Sequence, residues 1–329
     1  MIAAIGAFDG FHLGHQALLR TAADRARETG KSWGIVTFDR RPGSLLSFKG
    51  VKTLFTSDEQ AILETYFSVP AVRRIDFGPR IAGMKPAAFL DYIGEAFGVD
   101  GIAVGDDFRF GKDRAGTPDI LSAECRRRGW SVDVIPIQTT EGGVPICSST
   151  VREAVARGDM GFAADLLGYP FFCKSRVVHG NARGRRLGFP TANLAIPPEK
   201  VDLRCGVYAT LVRVDDDWYG GAANVGYNPT FRDVPDRRFE VNLLGYQGNL
   251  YDRTILVLIL RHIRDEIRFE SAQELEAQMG SDIRAVEAIS AAAIKEKTSI
   301  LTCFAEAERS RDLGAPPRTP PGDYSPLDP

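Results

Sequence analysis

Short apolar runs and helix-like stretches alternate through the first 140 residues of the chain. Each apolar run is four to seven residues long, the length of a buried strand. The runs lie at 2–5, 33–38, 72–77, 101–104 and 131–137. The first helical stretch ends at Gly30, and later ones open near Pro86, near Pro118 and at Ser57, whose spacing to Gln60 is that of a capping box. This alternation predicts a parallel sheet with right-handed crossovers.

The pattern changes after residue 170, where strand-like runs follow one another without a long helical stretch between them. These runs lie at 171–178, 206–214, 239–244 and 255–260. Because glycine, asparagine, proline and aspartate separate them, they predict an antiparallel sheet or barrel. From 271 to 311 the chain is rich in alanine and glutamate at helical spacing. The segment 314–329 holds six of the 19 prolines and is predicted to be a disordered tail.

The length of 329 residues agrees with two domains, since a domain spans roughly 100–200 residues. The change of pattern places their boundary near 168–170. We therefore expect an α/β domain at 1–168, a mainly β domain at 169–295, and a helical extension with a proline-rich tail at 296–329.

Composition excludes several classes of protein. The 41 basic and 43 acidic residues give a net charge of −2, which argues against nucleic acid as a partner. No run approaches the ~18–20 apolar residues of a membrane span. The five cysteines are odd in number and form no Cys-x-x-Cys pair, so a disulfide framework or thiolate zinc site is not expected. These features predict a cytoplasmic protein without a membrane partner.

The segment after the first strand has the features of a phosphate site. Glycines at 6, 10 and 14 allow a ligand to approach the backbone closely, and the start of a helix offers free N–H groups to an anion. His12 and His15 can both face that anion. A chance His-x-x-His or a metal-binding pair are the alternatives, but the position after an amino-terminal strand favours phosphate.

Two further segments carry hydroxyl, amide and guanidinium groups suited to phosphate. Ser148, Ser149 and Arg152 stand where a helical stretch begins, although Ser alone is also an ordinary N-cap. Thr191 and Asn193 lie two residues apart, so on an extended chain both oxygens face one side, as a hard cation such as Mg²⁺ requires. A glycine-rich turn with solvated arginines is the alternative for the segment that precedes them.

These motifs together resemble the bacterial bifunctional riboflavin kinase/FMN adenylyltransferase family, also called FAD synthetase. The run at 8–16, Phe-Asp-Gly-Phe-His-Leu-Gly-His-Gln, is close to the opening motif of that family, and Arg-Leu-Gly-Phe-Pro-Thr-Ala-Asn at 186–193 is similar to its kinase signature. Other matching segments lie, in order, at 104–111, 146–152, 206–209, 224–226, 229–231, 240–241, 250–251 and 264–266 with Phe269.

The resemblance implies a Rossmann-like nucleotidyltransferase domain followed by a riboflavin-kinase-like antiparallel β-barrel with a C-terminal helix. The first domain would transfer AMP from ATP to FMN and release pyrophosphate, and the second would phosphorylate riboflavin with ATP and Mg²⁺. The implied catalytic residues are His12, His15, Arg152 and the general base Glu240. The implied partners are ATP, riboflavin and FMN, in a monomer or weak homo-oligomer.

The same resemblance implies three sets of binding residues. ATP and phosphate are expected at Gly6, Phe8, Gly14, Ser148, Ser149, Gly184, Arg185, Thr191 and Asn193. The flavins are expected at Asp107, Phe108, Arg264 and Glu266. The magnesium ligands are expected to be Thr191 and Asn193.

Several positions depart from the family pattern. Arg40 and Arg41 replace a proline and a polar residue near the adenylyl site, Asn242 replaces a histidine, Gly245 an aspartate and Asp252 a glycine. Of these, Arg40, Arg41, Asn242 and Gly245 favour one alternative, a flavin-binding regulatory protein with weakened catalysis. A second alternative, a nucleotidyltransferase that uses only the first domain, leaves the 186–193 motif unexplained.

Overall fold

The computed structural model describes residues 1–39, 52–179, 191–228 and 236–312. The predicted tail and the motif residues Arg40, Arg41, Gly184 and Arg185 lie outside these ranges. Contacts divide the described residues into two compact units. The first unit holds 1–39, 61–148 and 307–312, and the second holds 52–60 and the described residues from 149 to 306.

Strands and helices follow the predicted order of an α/β half and a mainly β half. The strands are β1 (Ile2–Ile5), β2 (Trp33–Phe38), β3 (Val72–Ile75), β4 (Gly101–Gly105), β5 (Ser131–Ile135), β6 (Phe172–Val178), β7 (Thr191–Leu194), β8 (Gly206–Val214), β9 (Asp217–Asn228), β10 (Asp236–Leu243) and β11 (Thr254–Arg264). The helices are α1 (Leu13–Thr29), α2 (Ser57–Tyr66), α3 (Pro79–Ala82), α4 (Pro86–Phe97), α5 (Pro118–Arg128), α6 (Ser148–Arg157), α7 (Met160–Leu167), α8 (Ala272–Glu296) and α9 (Thr298–Asp312).

The first unit contains a five-stranded parallel sheet in the order β3-β2-β1-β4-β5, which confirms the predicted parallel sheet. The central strand β1 is buried along its whole length because helices cover both faces of such a sheet. Prolines open α4 and α5 in the first turn, and Gly30 ends α1 in the left-handed conformation, as predicted.

The capping box of α2 is one residue earlier than its sequence predicted. Thr56, not Ser57, donates its backbone N–H to the Glu59 carboxylate at 2.7 Å, and the Glu59 N–H donates to the Thr56 hydroxyl at 3.3 Å. The prediction of Ser57 paired with Gln60 was wrong, since Glu59 is the residue fixed by tertiary contacts. Its other oxygen accepts the backbone N–H of Lys174.

The second unit is a closed antiparallel barrel in the order β10-β7-β6-β11-β8-β9, as the second half of the sequence predicts. Strands β7 and β9 were not predicted. β9 is rich in glycine and alanine, residues that are poor strand formers. A Cβ on Gly221 would lie 2.5 Å from the Thr210 hydroxyl, so the barrel interior requires the small residue that hides this strand in the sequence.

A buried ion pair ties residues 52–60 to the barrel. The Lys200 ammonium donates to Glu59 at 2.5 Å and to the carbonyl oxygens of Leu54 and Phe172, and both charged side chains are 1% exposed. Thr53 forms a parallel bridge with Lys200. A segment that precedes most of the first unit in sequence is therefore part of the second unit.

Two helices, α8 and α9, follow the barrel over the stretch 271–311 for which helical spacing was predicted. The first, α8, is anchored to the barrel by the fully buried Val286 and by Ser290, whose hydroxyl donates to the Thr210 carbonyl at 3.3 Å. The helix ends at Lys297, and α9 begins at the next residue. Within the described ranges, no helix combines the length and apolar character needed to cross a membrane.

Candidate active sites

The first candidate site lies where the strand order of the parallel sheet reverses. From β1 the chain builds β2 and β3 on one side, and it then returns to place β4 and β5 on the other side. Loops at the carboxyl ends of the strands on either side of such a point enclose a crevice in which α/β proteins bind ligands. The predicted phosphate motif occupies the loop from β1 to α1.

This loop has an unusual backbone that aromatic packing holds in place. Phe8, Gly10 and Phe11 have φ values of 47°, 92° and 40°, in the left-handed region that is costly for the two phenylalanines. Both phenylalanine side chains are fully buried, and their rings stack with centroids 5.4 Å apart. Phe8 was predicted to bind phosphate; the residue is fully buried and its ring packs against Phe11 and His15, so its part in phosphate binding stays a prediction.

The two histidines lie together at the start of α1. His12 is the N-cap, and its Nδ1 accepts the backbone N–H of His15 at 3.4 Å. The two rings stack with centroids 3.7 Å apart, and the His12 side chain is largely buried. A Cβ on Gly14 would lie 3.1 Å from the His12 ring, so glycine leaves room for this arrangement. The structure thus brings His12, His15 and Gly14 together at a helix N-terminus.

A second segment reaches the same loop through a serine. The Ser148 hydroxyl donates to the carbonyl oxygen of buried Asp9 at 2.9 Å, which ties the start of α6 to the glycine-rich loop. Gln16 supports the loop from inside α1 by donating to the Phe11 carbonyl at 2.8 Å. Ser149, the next residue of α6, and Arg152, one turn later, belong to the second unit, and their part in phosphate binding stays a prediction.

The predicted flavin residues of the first unit follow the neighbouring strand. Asp107 and Phe108 lie just after β4, which pairs with β1, so their loop and the phosphate loop leave the same edge of the sheet. Asp107 is exposed, whereas Phe108 is half-buried and stacks on Phe110 at 5.4 Å. Gly6, predicted to bind phosphate, follows the last residue of β1, and a Cβ there would lie 3.5 Å from the Phe8 ring.

The second candidate site is built across three neighbouring strands of the barrel. Glu240 on β10 lies directly opposite Asn193 on β7 and opposite Asn224 on β9. Residues directly opposite in a ladder point to the same face, so the three side chains form one polar row. Two residues further along β10, Asn242 lies opposite Thr191. These two side chains form a second row on the same face of the sheet. Asn224 lies in a segment that matches the family, but the sequence alone gives it no role. Only the strand register shows that it lies beside Glu240.

A cavity of about 360 Å³ opens over these rows. Its polar wall comes from the strands, from the end of β11 with the segment that follows it, and from α8, and it contains Thr191, Asn224, Arg238, Glu240, Asn242, Arg264, Glu266 and Asp282. Its apolar wall comes from the same segment and from one face of α8, and it contains Ile267, Phe269, Leu275, Met279 and Ile283. We call this space the first barrel cavity. It suits a ligand with one flat apolar part and one hydroxyl-rich part.

A neighbouring cavity of about 630 Å³ shares Thr191 with the first. Asn193, Tyr246 and Tyr251 are among its other lining residues. We call it the second barrel cavity. Since Asn193 lines the second cavity and its cross-strand partner Glu240 lines the first, the two cavities meet at the polar rows.

Charged contacts fix the side chains around the first barrel cavity. The Arg238 Nε lies 3.4 Å from a Glu240 oxygen. Arg264, a predicted flavin residue, is committed to the buried Asp282, to which its Nη2 donates at 2.7 Å. Glu266, also predicted to bind flavin, lies against Gly226, where a Cβ would lie 2.3 Å from the Glu266 carboxylate oxygen.

The departures from the family pattern have structural counterparts. Asp252 and Gly245 both have positive φ, 65° and 72° respectively. Aspartate is among the residues that tolerate this conformation best, which explains how Asp252 replaces a glycine. Asp252 is also paired with Arg176 at 2.9 Å. Asn242 lines the first barrel cavity, so its amide adds a polar group there.

The fold and the two sites define a class of protein. In this class, an α/β unit of nucleotidyltransferase type carries paired histidines at the start of a helix. A barrel with a carboxylate between two cavities follows it in the chain. Family models agree with this class: FAD synthetase matches residues 1–150, and riboflavin kinase matches 167–290.

Relatives give the particular family. The bifunctional riboflavin kinase/FMN adenylyltransferase of Pseudomonas fluorescens is 36% identical over 88% of this chain and 93% of its own length. Those of Listeria monocytogenes and Escherichia coli are 32% and 36% identical over 85% and 84% of this chain, covering 90% and 89% of their own lengths. The chain belongs to the bifunctional riboflavin kinase/FMN adenylyltransferase family.

A solved structure supports the fold. A crystal structure described as a macrolide-efflux protein from Streptococcus pneumoniae has a TM-score of 0.81 and 31% identity, over 87% of this chain and 93% of that one. The agreement over nearly the whole of both chains extends to the parallel sheet and the barrel alike. Its description as an efflux protein concerns that protein alone.

Proposed function

We propose that this chain is an enzyme that makes FMN from riboflavin in its barrel and FAD from FMN in its α/β unit, with ATP as the co-substrate of both reactions. The observation that carries the proposal is the row in which Glu240 stands between Asn193 and Asn224, at the meeting point of two cavities. The family relatives, named for both reactions, support it. They give no support to the regulatory alternative.

In the α/β unit, an FMN phosphate oxygen attacks the α-phosphorus of ATP, and the bond to the pyrophosphate leaving group breaks. The attacking group is already an anion, so no base is needed, and catalysis rests on in-line positioning and charge stabilisation. We assign charge stabilisation to His12, His15 and Arg152. The backbone N–H groups of the phosphate loop, with Gly6, Phe8 and Gly14, and the Ser148 and Ser149 hydroxyls hold the phosphates.

In the barrel, riboflavin occupies the first barrel cavity and ATP the second. The Glu240 carboxylate takes the proton of the terminal ribityl hydroxyl as that oxygen attacks the γ-phosphorus, and ADP leaves. The flat flavin ring lies on the apolar wall that includes Ile267, which is half exposed, and the ribityl chain faces Asn224 and Glu240. Asp107 and Phe108 serve the flavin of the other reaction.

The barrel residues fit Mg²⁺ with its ATP. Among the residues that the structure describes, no group of three His, Cys, Asp or Glu side chains is arranged to hold a metal. A Thr191 hydroxyl and an Asn193 amide are the hard oxygen donors that Mg²⁺ accepts when phosphates and water supply the rest. These two residues would hold the ion, which would neutralise developing charge on the phosphates.

We also infer that the protein works in the cytoplasm as a monomer or weak homo-oligomer. The five cysteines all lie in the described part of the chain, and no disulfide joins them, which fits a reducing compartment. Light scattering after size-exclusion chromatography measures the mass against that of the 36.0 kDa chain.

The test of the proposal is a flavin assay. Purified protein is incubated with Mg-ATP and either riboflavin or FMN, and the flavins are separated by chromatography. We expect riboflavin to yield FMN and then FAD. FMN that accumulates without FAD contradicts the adenylyltransferase assignment, and FAD formed only from supplied FMN contradicts the kinase assignment. Tight flavin binding without ATP consumption selects the regulatory alternative.

A further inference from the structure

Asp282 is a buried carboxylate in the third turn of α8 that lines the first barrel cavity and to which neither proposed reaction assigns a step. Only 5% of the residue is exposed. Its two oxygens accept the Arg264 Nε at 3.1 Å each, and one also accepts the Arg264 Nη2 at 2.7 Å. The Gln278 side-chain amide donates to the other oxygen at 2.9 Å. Because two of its nitrogens donate to one carboxylate, the planar guanidinium of Arg264 has a fixed orientation.

Arg264 occupies a special place in the chain, as the last residue of β11. Its Nη1 donates to the Asp265 carbonyl at 2.9 Å, and its guanidinium lies 5.9 Å from the centre of the Phe269 ring. The segment 265–271 that follows brings Glu266, Ile267 and Phe269 to the first barrel cavity and then leads into α8. The Arg264–Asp282 pair therefore joins the two ends of this cavity wall.

The effect of this pair is local, because α8 is also anchored farther along. Val286 is fully buried and Ser290 donates to Thr210, so the later turns of the helix keep their contacts without Asp282. The parts that depend on the pair are the first turns of α8 and the segment 265–271. Both contribute the apolar wall of the first barrel cavity, with Leu275 and Met279 from the helix.

We propose that Asp282 is a positioning residue for flavin binding by the barrel. Acting through Arg264, it holds the wall formed by 265–271 and the start of α8 at the spacing that a flavin ring needs. This inference rests on the proposed occupancy of the first barrel cavity by riboflavin. It predicts that loss of the Asp282 charge weakens riboflavin binding without an equal effect on ATP, whose proposed cavity Asp282 does not line.

The test compares Asp282→Asn with the unchanged full chain. The dissociation constant of riboflavin is measured by quenching of flavin fluorescence without ATP, and the kinase KM values and kcat are measured separately. We expect the riboflavin dissociation constant and KM to rise about tenfold, with the ATP KM and kcat within about threefold, since a wall displaced by a fraction of an ångström costs contacts rather than chemistry. Asp215→Asn, which removes an exposed aspartate paired with Arg253 in the same barrel, is the matched control.

Two further variants separate positioning from general destabilisation. Arg264→Lys keeps the charge but loses the fork, so we expect it to weaken riboflavin binding as well. The double variant Asp282→Asn with Arg264→Lys is expected to bind riboflavin no more weakly than the weaker-binding of the two single variants, because both changes act through one ion pair. A lower kcat with unchanged riboflavin binding, as a smaller folded fraction would give, overturns the inference.

The same measurements distinguish failure of the kinase assignment from failure of the inference about Asp282. A wild-type chain that binds riboflavin but makes no FMN contradicts the kinase proposal alone, and the binding comparison still decides the role of Asp282. Equal riboflavin binding by Asp282→Asn and wild type contradicts the inference alone. Failure of the wild type to bind riboflavin overturns both.

Discussion

The two candidate sites are built in opposite ways. In the α/β unit, one continuous loop from β1 to α1 supplies the glycines and both histidines, and the left-handed residues Phe8 and Phe11 set its shape. In the barrel, Asn193, Asn224 and Glu240 come from three strands and meet only because of the register of the sheet. The backbone conformation of one loop forms the first site, and the pairing of three strands forms the second.

The two sites are therefore sensitive to different kinds of change. A loop held by buried aromatic rings loses its function when one of its own residues changes. A site formed by strand register tolerates substitutions outside the row of Asn193, Asn224 and Glu240. It depends instead on the contacts that maintain the strand pairing of the barrel. Changes in one unit are expected to leave the reaction of the other unit intact, which makes each reaction a control for the other.

The largest effect is expected for Glu240→Gln. The amide keeps the size of the side chain but does not accept a proton, so kinase turnover is expected to fall about a thousandfold. Chromatography of flavins formed from riboflavin measures the loss, and FAD formation from supplied FMN is expected to stay within about twofold. Kinase turnover that stays within tenfold of wild type excludes Glu240 as the general base.

The next largest effect concerns the stability of the barrel rather than its chemistry. Lys200→Met leaves the Glu59 carboxylate buried without its cation, and a broken buried pair costs about 3–5 kcal/mol in unfolding free energy. The exposed pair of Lys52 with Asp202 gives a matched control, since Lys52→Met should cost less than about 1 kcal/mol.

Urea unfolding followed by the fluorescence of Trp218 on β9 measures both variants. The other two tryptophans, Trp33 and Trp130, lie in the α/β unit and are first replaced by phenylalanine. Equal losses for Lys200→Met and Lys52→Met contradict the view that the buried pair holds residues 52–60 to the barrel.

A smaller effect is expected for His12→Asn in the α/β unit. Asparagine is a good N-cap, so it keeps an acceptor for the start of α1 while it removes the ring proposed to stabilise charge. FAD formation from FMN is expected to fall about a hundredfold, as loss of one preorganised donor does. Kinase activity of the same preparation serves as the control. An adenylyltransferase rate equal to that of wild type shows that His12 has only a structural part.

The sequence predicted the local site more fully than the register-built one. Glycine spacing, the histidine pair and the apolar run of β1 all lie within 15 residues, so their juxtaposition follows from chain connectivity. Asn224 and Asp282 carry no such signal. Their importance arises from the pairing of β9 with β10 and from the return of α8 onto β11, which are contacts between residues distant in sequence.

Two errors have the same physical origin. Strand β9 was missed because the barrel interior selects small residues such as Gly221, which favour turns in a sequence pattern. The capping box was placed at Ser57 because two spacings one residue apart both fit the motif. The choice of Thr56 with Glu59 follows from the buried Lys200, whose contact with Glu59 no local pattern contains.

The thiols of the two units are expected to differ in reactivity, an effect separate from activity. Burial in the core of the α/β unit raises the pKa of the Cys125 thiol to about 11, whereas Cys147 and Cys205 are partly exposed. At pH 8 the thiolate fraction of Cys125 is therefore about 250-fold lower than that of an ordinary cysteine with a pKa of about 8.5. Iodoacetamide labelling followed by peptide mass spectrometry should modify Cys147 and Cys205 first.

The direction of the pH dependence follows from the raised pKa of Cys125. The folded chain holds the proton of this thiol more tightly than the unfolded chain, whose cysteines titrate near about 8.5. Its contribution to stability is complete below that value and is lost as the pH rises toward 11. Labelling of Cys125 is thus expected to accelerate more steeply between pH 8 and pH 10 in the folded chain than in the unfolded chain, and to be slower at pH 8 than labelling of the partly exposed Cys205. Equal rates for the two cysteines in the folded chain at pH 8 contradict the burial of Cys125 in this core.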